Sequence, residues 1–272
     1  MMDIAPLWLT IMTLCFGACV GSFLNVCIYR IPREESVVRP RSHCPQCGHL
    51  ITAWDNIPLV SYLVLRAQCR YCKAPIAFRY ILVEALTAIL FLGIWIRYGW
   101  DPRTPVYWLV AGGLVLGTFV DFDHMILPDR VTLGGIAAGL ILSPLVPELH
   151  STPLALVAFK RSILGAAVGL GVLGGVAILG RLLFRKEAMG MGDVKLLGAV
   201  GALLGWQATL FTVIASSFVG SIVGLTLMAR RTKGWESRIP YGPYLALAAI
   251  AWILGADGLW NLYFRWILPP AS

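Results

Sequence analysis

Long apolar runs separated by short polar connections organise the whole chain. Runs of roughly 18 or more apolar residues are typical of transmembrane helices. The pattern predicts eight spans, at residues 6–29, 80–98, 105–121, 131–147, 162–184, 193–206, 208–228 and 241–263. The sixth is short and rich in glycine and alanine, so we expect it to be tilted, broken or buried among its neighbours. The predicted fold class is an all-α polytopic membrane protein with about eight transmembrane helices.

Composition supports this class and suggests a division into domains. Of 272 residues, 58% are hydrophobic and 13% are charged, whereas soluble domains are near half apolar and a quarter charged. The first span follows no basic segment and precedes no Ala-x-Ala site, so we expect an anchor rather than a cleaved signal peptide. We predict a first transmembrane helix at residues 1–29, a small polar domain at 30–79 and a seven-helix membrane domain at 80–272.

The distribution of positive charge predicts orientation. Of the 22 basic residues, 17 lie in four segments, namely 30–79, 121–130, 181–195 and 229–238. Lysine and arginine accumulate in cytoplasmic connections, so these four segments are predicted to be cytoplasmic and the N-terminus external. The net charge of +8 forms no basic domain or stripe, so the predicted partner is the lipid bilayer and not nucleic acid.

The polar domain at 30–79 is too small to fold by burial alone, but it contains two Cys-x-x-Cys motifs. They are separated by 21 residues and consist of Cys44, Cys47, Cys69 and Cys72. Four thiolates at this spacing are typical of a tetrahedral structural zinc site, with no position left open for catalysis. A pair of disulfides is the alternative, which the predicted reducing location disfavours. His43 and His49 flank the first motif and could substitute as ligands.

Acidic residues in or beside the spans are costly, so they are functional candidates. Asp121 ends the third predicted span and Asp193 begins the sixth, which places both on the cytoplasmic side. Two carboxylates brought together can share one proton. The ionised member could then activate water while the protonated member polarises a carbonyl. Gly190 and Gly192 would leave room for an extended substrate.

Other interpretations of these acids stay open on the residues alone. Asp129 and Asp193 each precede or open an apolar run, as helix N-caps do. Asp123 lies two positions from Asp121 and would point away from it on a continuing helix. Glu84, near the start of the second span, could lie at the membrane interface or bind substrate. A shared Asp121–Asp193 site and separate structural or transport roles are both compatible with the pattern.

Six motifs occur in a specific order, and together they resemble one family. They are Gly21-Ser-Phe-Leu-Asn25 leading to Tyr29-Arg30-Ile-Pro32, the paired cysteine motifs, Arg79-Tyr80 to Glu84, Asp121-Phe-Asp-His-x-x-Leu-Pro-Asp129, Gly190-Met-Gly-Asp193-Val-Lys195 and Ile239-Pro-Tyr-Gly-Pro243. The chain resembles the type IV prepilin peptidases, also called prepilin leader peptidase/N-methyltransferases. Each motif is weak alone, whereas the ordered set is specific.

The resemblance implies a Gly-x-Gly-Asp-type intramembrane aspartyl protease in the bacterial inner membrane, with its active site facing the cytoplasm. Asp121 and Asp193 would be the catalytic pair, supported by the other motif residues Gly190, Gly192, Asp129 and Lys195. The implied substrates are type IV prepilins or type II secretion pseudopilins, cleaved after a glycine that ends a short basic leader. The new N-terminus would then be methylated with S-adenosyl-L-methionine.

The methyl-transfer site is harder to place, because the sequence has no dinucleotide-type glycine fingerprint. Four residues near the same predicted interface are candidates for substrate binding or methyl transfer: Gly21, Asn25, Arg30 and Glu84.

The sequence fits two other functions less well. A proton- or cation-coupled transporter could use Asp121, Asp193 and Glu84, but the repeats typical of transporters are not evident. A zinc metalloprotease would need a His-Glu-x-x-His helix, which the sequence lacks.

Overall fold

The computed structural model describes residues 7–185, 189–229, 240–260 and 262 of the chain. They belong to two compact units, Met1–Leu116 and Gly117–Ser272. Within the described residues all regular elements are helices, and β-structure is limited to two isolated bridges. The fourth basic segment, apart from its first residue, and Ile239 of the last motif lie outside the described residues, as does the end of the eighth predicted span.

Eight α-helices follow one another along the chain. They are α1 Leu7–Arg30, α2 Val60–Val64, α3 Phe78–Tyr98, α4 Arg103–His124, α5 Asp129–Leu145, α6 Ala155–Phe184, α7 Met191–Ala229 and α8 Gly242–Ala251. Short 3₁₀ turns cover Ile31–Arg33, Trp54–Asn56 and Pro147–His150, and a π-helical stretch, Trp252–Ala256, continues α8.

Six of the described helical segments are long and apolar enough to cross a membrane, judged by length and composition. They correspond to α1, α3, α4, α6, α7 and α8 with its continuation. The all-helical, multi-pass class predicted from the hydrophobic pattern is therefore confirmed. The count of eight spans remains a prediction, since α5 has only 17 residues and α7 is assigned as a single helix of 39 residues despite a non-helical residue in its interior.

Helix α7 changes direction in its interior. Gly205 has φ 87° and ψ 169°, outside the helical region. A Cβ added to Gly201 would lie 2.9 Å from the hydroxyl of Thr209, although residues eight apart on a straight helix are separated by about 12 Å. The chain therefore folds back at Gly205, next to the boundary between the spans predicted at 193–206 and 208–228. Glycine suits this position because a side chain strains a positive φ.

A buried polar network holds this reversal in unit 2. The Ser143 hydroxyl lies 2.8 Å from Nε2 of His150, and the Ser162 hydroxyl donates to the carbonyl of Ala202 at 2.7 Å. Arg161 donates to the carbonyl of His150 at 2.6 Å. Burial lowers the pKa of His150 from 6.5 to about 4, so this imidazole is neutral and bonds as a neutral group at physiological pH.

Candidate active site and metal site

The two aspartates predicted to act together line one cavity in unit 2. Its volume is about 280 Å³, and both Asp121 and Asp193 contribute to its wall. Asp121 lies in the last turn of α4 and is 5% exposed, and Asp193 lies half-buried in the first turn of α7. The two carboxylates are close enough to interact electrostatically. Residues 72 positions apart in the sequence are thus brought into one site.

The connection after α4 forms another wall of this cavity. Met125 adopts a positive φ of 54°, and its amide donates to the carbonyl of Asp121 at 2.9 Å. Pro128, three residues on, lacks an N–H for a helical hydrogen bond and disfavours helical backbone at the residue before it, so α4 does not continue through this segment. Met125, Ile126 and Leu127 therefore run past the carboxylates instead of continuing the helix, and all three line the cavity.

The start of α8 contacts Asp121 directly. The backbone N–H of Gly242 donates to Oδ2 of Asp121 at 3.0 Å. A Cβ added to Gly242 would lie 2.7 Å from the same oxygen, so only glycine allows this approach. Among the described residues, no hydrogen-bond donor reaches the carboxylate of Asp193. The two acids thus differ, because a helix N-terminal N–H favours the ionised form of the carboxylate that accepts it.

The supporting motif residues Asp129 and Lys195 form an ion pair beside the aspartates. Nζ of Lys195 lies 2.7 Å from Oδ1 of Asp129, and both residues line the cavity. The interpretation of Asp129 as a helix N-cap is wrong. Pro128 occupies the cap position of α5, no side chain caps it, and the Asp129 carboxylate bonds instead to the lysine of another helix. Asp123 and His124 are exposed, as the prediction that Asp123 points away from Asp121 requires.

The four cysteines predicted to bind metal form one cluster in unit 1. Their sulfur atoms all lie within 4.8 Å of one another, and Sγ of Cys44 and Cys72 are 3.7 Å apart. A zinc ion with Zn–S bonds of about 2.3 Å requires S···S edges of about 3.8 Å, so the thiols fit a tetrahedral site. The disulfide alternative is wrong, because none of the seven cysteines, all of which lie in the described residues, forms a disulfide. His43 and His49 do not belong to the cluster.

The two cysteine motifs are structural copies offset by 25 residues. In the first, the Cys44 amide donates to the carbonyl of His49 at 2.9 Å, and in the second the Cys69 amide donates to that of Ala74 at 2.8 Å. The isolated bridges repeat in the same register, pairing His43 with Leu50 and Gln68 with Pro75. Sequence reasoning missed this repeat, although Arg-x-x-Cys-x-x-Cys-x-x-x-Ile occurs at 41–51 and at 66–76.

Local hydrogen bonds favour the ionised form of one cysteine in these motifs and of an aspartate beside them. Backbone N–H groups of Cys47 and Gln46 lower the pKa of the Cys44 thiol to about 6. Arg70, inside the second motif, donates through Nε to both carboxylate oxygens of Asp55 at 2.9 Å and so holds the pKa of that carboxyl below its usual range. This pair ties the second motif to the 3₁₀ turn at Trp54–Asn56.

Three of the four candidates for methyl transfer serve the packing of unit 1. A Cβ added to Gly21 would lie 2.7 Å from Cα of Glu84, so glycine lets α1 approach α3 closely. The Asn25 side chain donates to the carbonyl of Tyr80 at 3.0 Å, and the Glu84 carboxylate accepts the N–H of Leu59 at 2.8 Å. Gly21 and Asn25 thus join α1 to α3, and Glu84 joins α3 to the polar segment.

The fourth candidate, Arg30, borders a second cavity. Its guanidinium donates to the carbonyls of Ser36 and Pro40 at 2.9 and 2.8 Å. The cavity measures about 490 Å³ and lies between the second half of α1 and residues 37–58. Of the four candidates only Arg30 lines it, together with Ser22, Phe23 and Asn56 among others. The four candidates therefore do not line one cavity together, and their shared role in methyl transfer stays a prediction.

Comparisons with known proteins also separate an N-terminal part of the chain from a C-terminal part. The model for the bacterial peptidase A24 N-terminal domain matches residues 15–98, and the model for the type IV leader peptidase family matches residues 108–225. A prepilin leader peptidase/N-methyltransferase of Aeromonas hydrophila is 39% identical, over 91% of each chain. The chain belongs to this family. The relationship predicted from the ordered motifs is therefore confirmed.

Other relatives carry the same name. A Pseudomonas aeruginosa protein is 36% identical over 96% of this chain and 95% of its own. One from Myxococcus xanthus is 42% identical over 78% of this chain, but the match spans only 61% of that longer protein. No solved structure matches the chain. The cysteine cluster and second cavity fall within the N-terminal family match, and Asp121 and Asp193 within the leader peptidase match.

Proposed function

We propose that the protein is an aspartic endopeptidase that removes the leader from type IV prepilins or type II secretion pseudopilins and then N-methylates the new N-terminus. The observation that carries the peptidase half is the shared cavity of Asp121 and Asp193. Because the family is a leader peptidase family, two carboxylates in one cavity supply the water-activating chemistry that such a reaction needs. A transporter has no comparable support.

The unequal surroundings of the two acids support different roles for them. Asp121, which accepts the Gly242 N–H, is the ionised member and takes a proton from the attacking water. Asp193 is the protonated member and donates its hydrogen to the oxygen of the scissile carbonyl as the tetrahedral intermediate forms. Collapse of this intermediate breaks the C–N bond, and the leaving nitrogen receives the proton that Asp121 had taken. A hydroxyl of the intermediate returns a proton to Asp193 as the new carboxyl group forms, which regenerates the pair. The pair thus needs neither a covalent intermediate nor a metal ion.

The test is cleavage of a full-length prepilin by purified protein in proteoliposomes. Asp121→Asn and Asp193→Asn should each lower the rate by at least about 1000-fold, the scale expected when a catalytic group is removed. The matched control is Asp123→Asn, an exposed acid two residues from Asp121, which should cleave at close to the wild-type rate. Cleavage retained in either dyad variant would refute the proposal.

The methyl-transfer half is proposed for unit 1, with S-adenosyl-L-methionine as methyl donor. The cavity beside Arg30 is the candidate donor site, since the peptidase cavity lies entirely in unit 2. Supplying a pilin whose leader has already been removed allows methyl transfer to be measured independently of cleavage. Asp121→Asn should still transfer labelled methyl to this pilin, whereas Arg30→Gln should lose transfer and retain cleavage. Loss of methyl transfer in Asp121→Asn would contradict two separate sites.

The thiol cluster is proposed to hold a structural zinc ion. Cys44, Cys47, Cys69 and Cys72 would be its ligands, and the ion would supply cross-linking of the two motifs rather than reaction chemistry.

The proposed location is the bacterial inner membrane, with the peptidase site facing the cytoplasm. The concentration of basic residues supports this orientation. Counting α5 and the two arms of α7 separately gives the proposed eight spans. The reversal at Gly205 supports the division of α7, since each arm then crosses or enters the bilayer independently.

A further inference from the structure

A group of exposed apolar side chains lies in the polar segment between α1 and α3. Trp54 is 79% exposed, and in α2 the side chains of Leu63 and Val64 are 67% and 69% exposed. Val60, one turn earlier, is also exposed. Single exposed apolar residues are ordinary, but four large ones within eleven residues of a small domain form a surface that needs a covering.

The depth of α2 relative to α3 indicates what covers it. Leu59, immediately before α2, donates its N–H to the carboxylate of Glu84 at 2.8 Å. Glu84 lies six residues into α3, which places it about 9 Å along the helix axis from Phe78. Because α3 is one of the helices long and apolar enough to span a membrane, α2 starts beside a membrane helix and not out in the aqueous phase.

The start of α3 places the bilayer surface at this level. Arg79 and Tyr80 are residue types that concentrate at the membrane–water interface. Glu84 follows them by one further turn, so its partner Leu59 lies at or below the level of the lipid headgroups, which occupy about 5–8 Å on each side of the hydrocarbon.

The charge of the polar segment and the residue types on its exposed surface also favour contact with the lipid bilayer. Residues 30–79 contain eight basic and three acidic residues, a balance that attracts anionic lipids. Helix α2 itself carries no charge, and its half-buried Tyr62 points towards the domain, where its hydroxyl donates to the carbonyl of Ile76. The opposite, exposed side therefore presents only apolar groups, with Trp54 of the interfacial residue type nearby.

We propose that Trp54 and α2 form an interfacial anchor that inserts into the headgroup region of the bilayer and holds the cysteine domain against the membrane. Both ends of the domain are joined to helices that fit a bilayer span, so the same membrane supplies the lipid. The anchor fixes the height of the cavity beside Arg30 above the bilayer, whichever ligand that cavity takes.

The test uses the full chain in nanodiscs of phosphatidylethanolamine and phosphatidylglycerol. The photoreactive residue p-benzoylphenylalanine is placed at Leu63 in one preparation and at Gln46, an exposed polar position in the first cysteine motif, in the control. After irradiation, mass spectrometry of each chain counts lipid adducts. At least five-fold more adducts are expected at position 63 than at 46.

Three outcomes would overturn the anchor. Equal adduct yields at both positions would mean that α2 has no special access to lipid. Cross-links from position 63 to a second copy of the chain would make the surface a self-interface, and cross-links to another part of the same chain would make it an internal contact. Metal content equal to wild type in both preparations shows that neither substitution has unfolded the cysteine domain.

Discussion

The cysteine site of unit 1 and the aspartate site of unit 2 are assembled in opposite ways. Each cysteine motif closes within ten residues through its own backbone hydrogen bonds, and the site consists of two such copies. The aspartate site needs the end of α4, the start of α7 and the start of α8, contributed by Asp121, Asp193 and Gly242. A local motif tolerates changes elsewhere, whereas a site at the junction of three helices depends on how closely those helices approach.

The largest expected effect tests whether the two regions are separable. Cys44→Ser removes one of four thiolates, and since a small domain of this kind depends on its metal to fold, bound zinc should fall from one ion per chain to less than about 0.1. Elemental analysis measures the metal, and labelled methyl transfer to a pre-cut pilin should fall at least about 100-fold. Prepilin cleavage should change less than about three-fold, and a matching collapse of cleavage would show that the regions are not independent. Cys15→Ser, in α1 and outside the cluster, is the control.

The two regions should also differ in their response to acid. Burial holds the pKa of His150 in unit 2 at about 4, below its ordinary 6.5, so below pH 6.5 the unfolded state binds the additional proton. Stability is therefore complete above pH 6.5 and declines as pH falls towards 4, by up to about 3 kcal/mol. Thermal unfolding in detergent at pH 7 and pH 5 measures this. His150→Gln should reduce the difference between the two pH values, and an unchanged difference would contradict the assignment.

In unit 1 the corresponding change should occur at lower pH. Arg70 depresses the pKa of Asp55 below its ordinary 3.8, so the stabilising pair is complete above that value and is lost as pH falls below it. Circular dichroism of the wild type and of Asp55→Asn between pH 5 and 3 tests this. The two proteins should converge as the pH falls below the depressed pKa of Asp55, and a constant difference throughout would exclude the pair as the cause.

The substitution Gly242→Ala tests whether the aspartate site depends on the close approach of α8 to Asp121 of α4. The added Cβ would lie 2.7 Å from Oδ2 of Asp121 and should displace the carboxylate, which lowers kcat for prepilin cleavage by about 100-fold, the cost of a misplaced catalytic group. KM should change much less, because the substitution is aimed at the acid and not at the binding surface. The control is Gly224→Ala, since a Cβ at Gly224 meets nothing within 4 Å. Equal loss in both variants would indicate a general effect on the helices.

The smallest expected effect concerns the ion pair of Asp129 and Lys195. Because Asp129 is 61% exposed, water screens the pair and its contribution is about 1 kcal/mol or less. Lys195→Gln and Asp129→Asn should each reduce cleavage by no more than about five-fold, measured as kcat/KM. The exchanged double variant Asp129→Lys/Lys195→Asp should recover part of the loss if the pair acts through charge, and additive losses would argue against this.

Several features of the molecule were readable from particular residues. The helical class follows from apolar runs, because backbone polar groups in a bilayer must be satisfied within the helix. The four-cysteine cluster follows from the spacing of Cys44, Cys47, Cys69 and Cys72, because each motif forms its geometry locally. The break in α7 at Gly205 lies close to the boundary between the spans predicted at 193–206 and 208–228, which the hydrophobic pattern separates.

Other features could not be read in this way. Asp129 has the sequence of a helix cap, but a lysine 66 positions later takes its carboxylate. Gly21, Asn25 and Glu84 fall in one motif order with Arg30, yet three of them pack helices and only Arg30 lines the second cavity. The anchor proposed for α2 could not be recognised from a hydrophobic pattern, because α2 has only five residues. Its depth relative to the membrane depends on the contact of Leu59 with Glu84 of α3.

By itself, the sequence determined that this protein is a multi-pass helical enzyme of a known peptidase family with a four-cysteine cluster, because hydrophobic runs and closely spaced ligands act over short stretches of chain. Only the tertiary structure decided that Asp121 and Asp193 share a cavity, and that Gly242 donates to one of them and not to the other. The physical reason is distance along the chain. Interactions between residues 72 and 121 positions apart depend on the packing of whole helices, which no local pattern encodes.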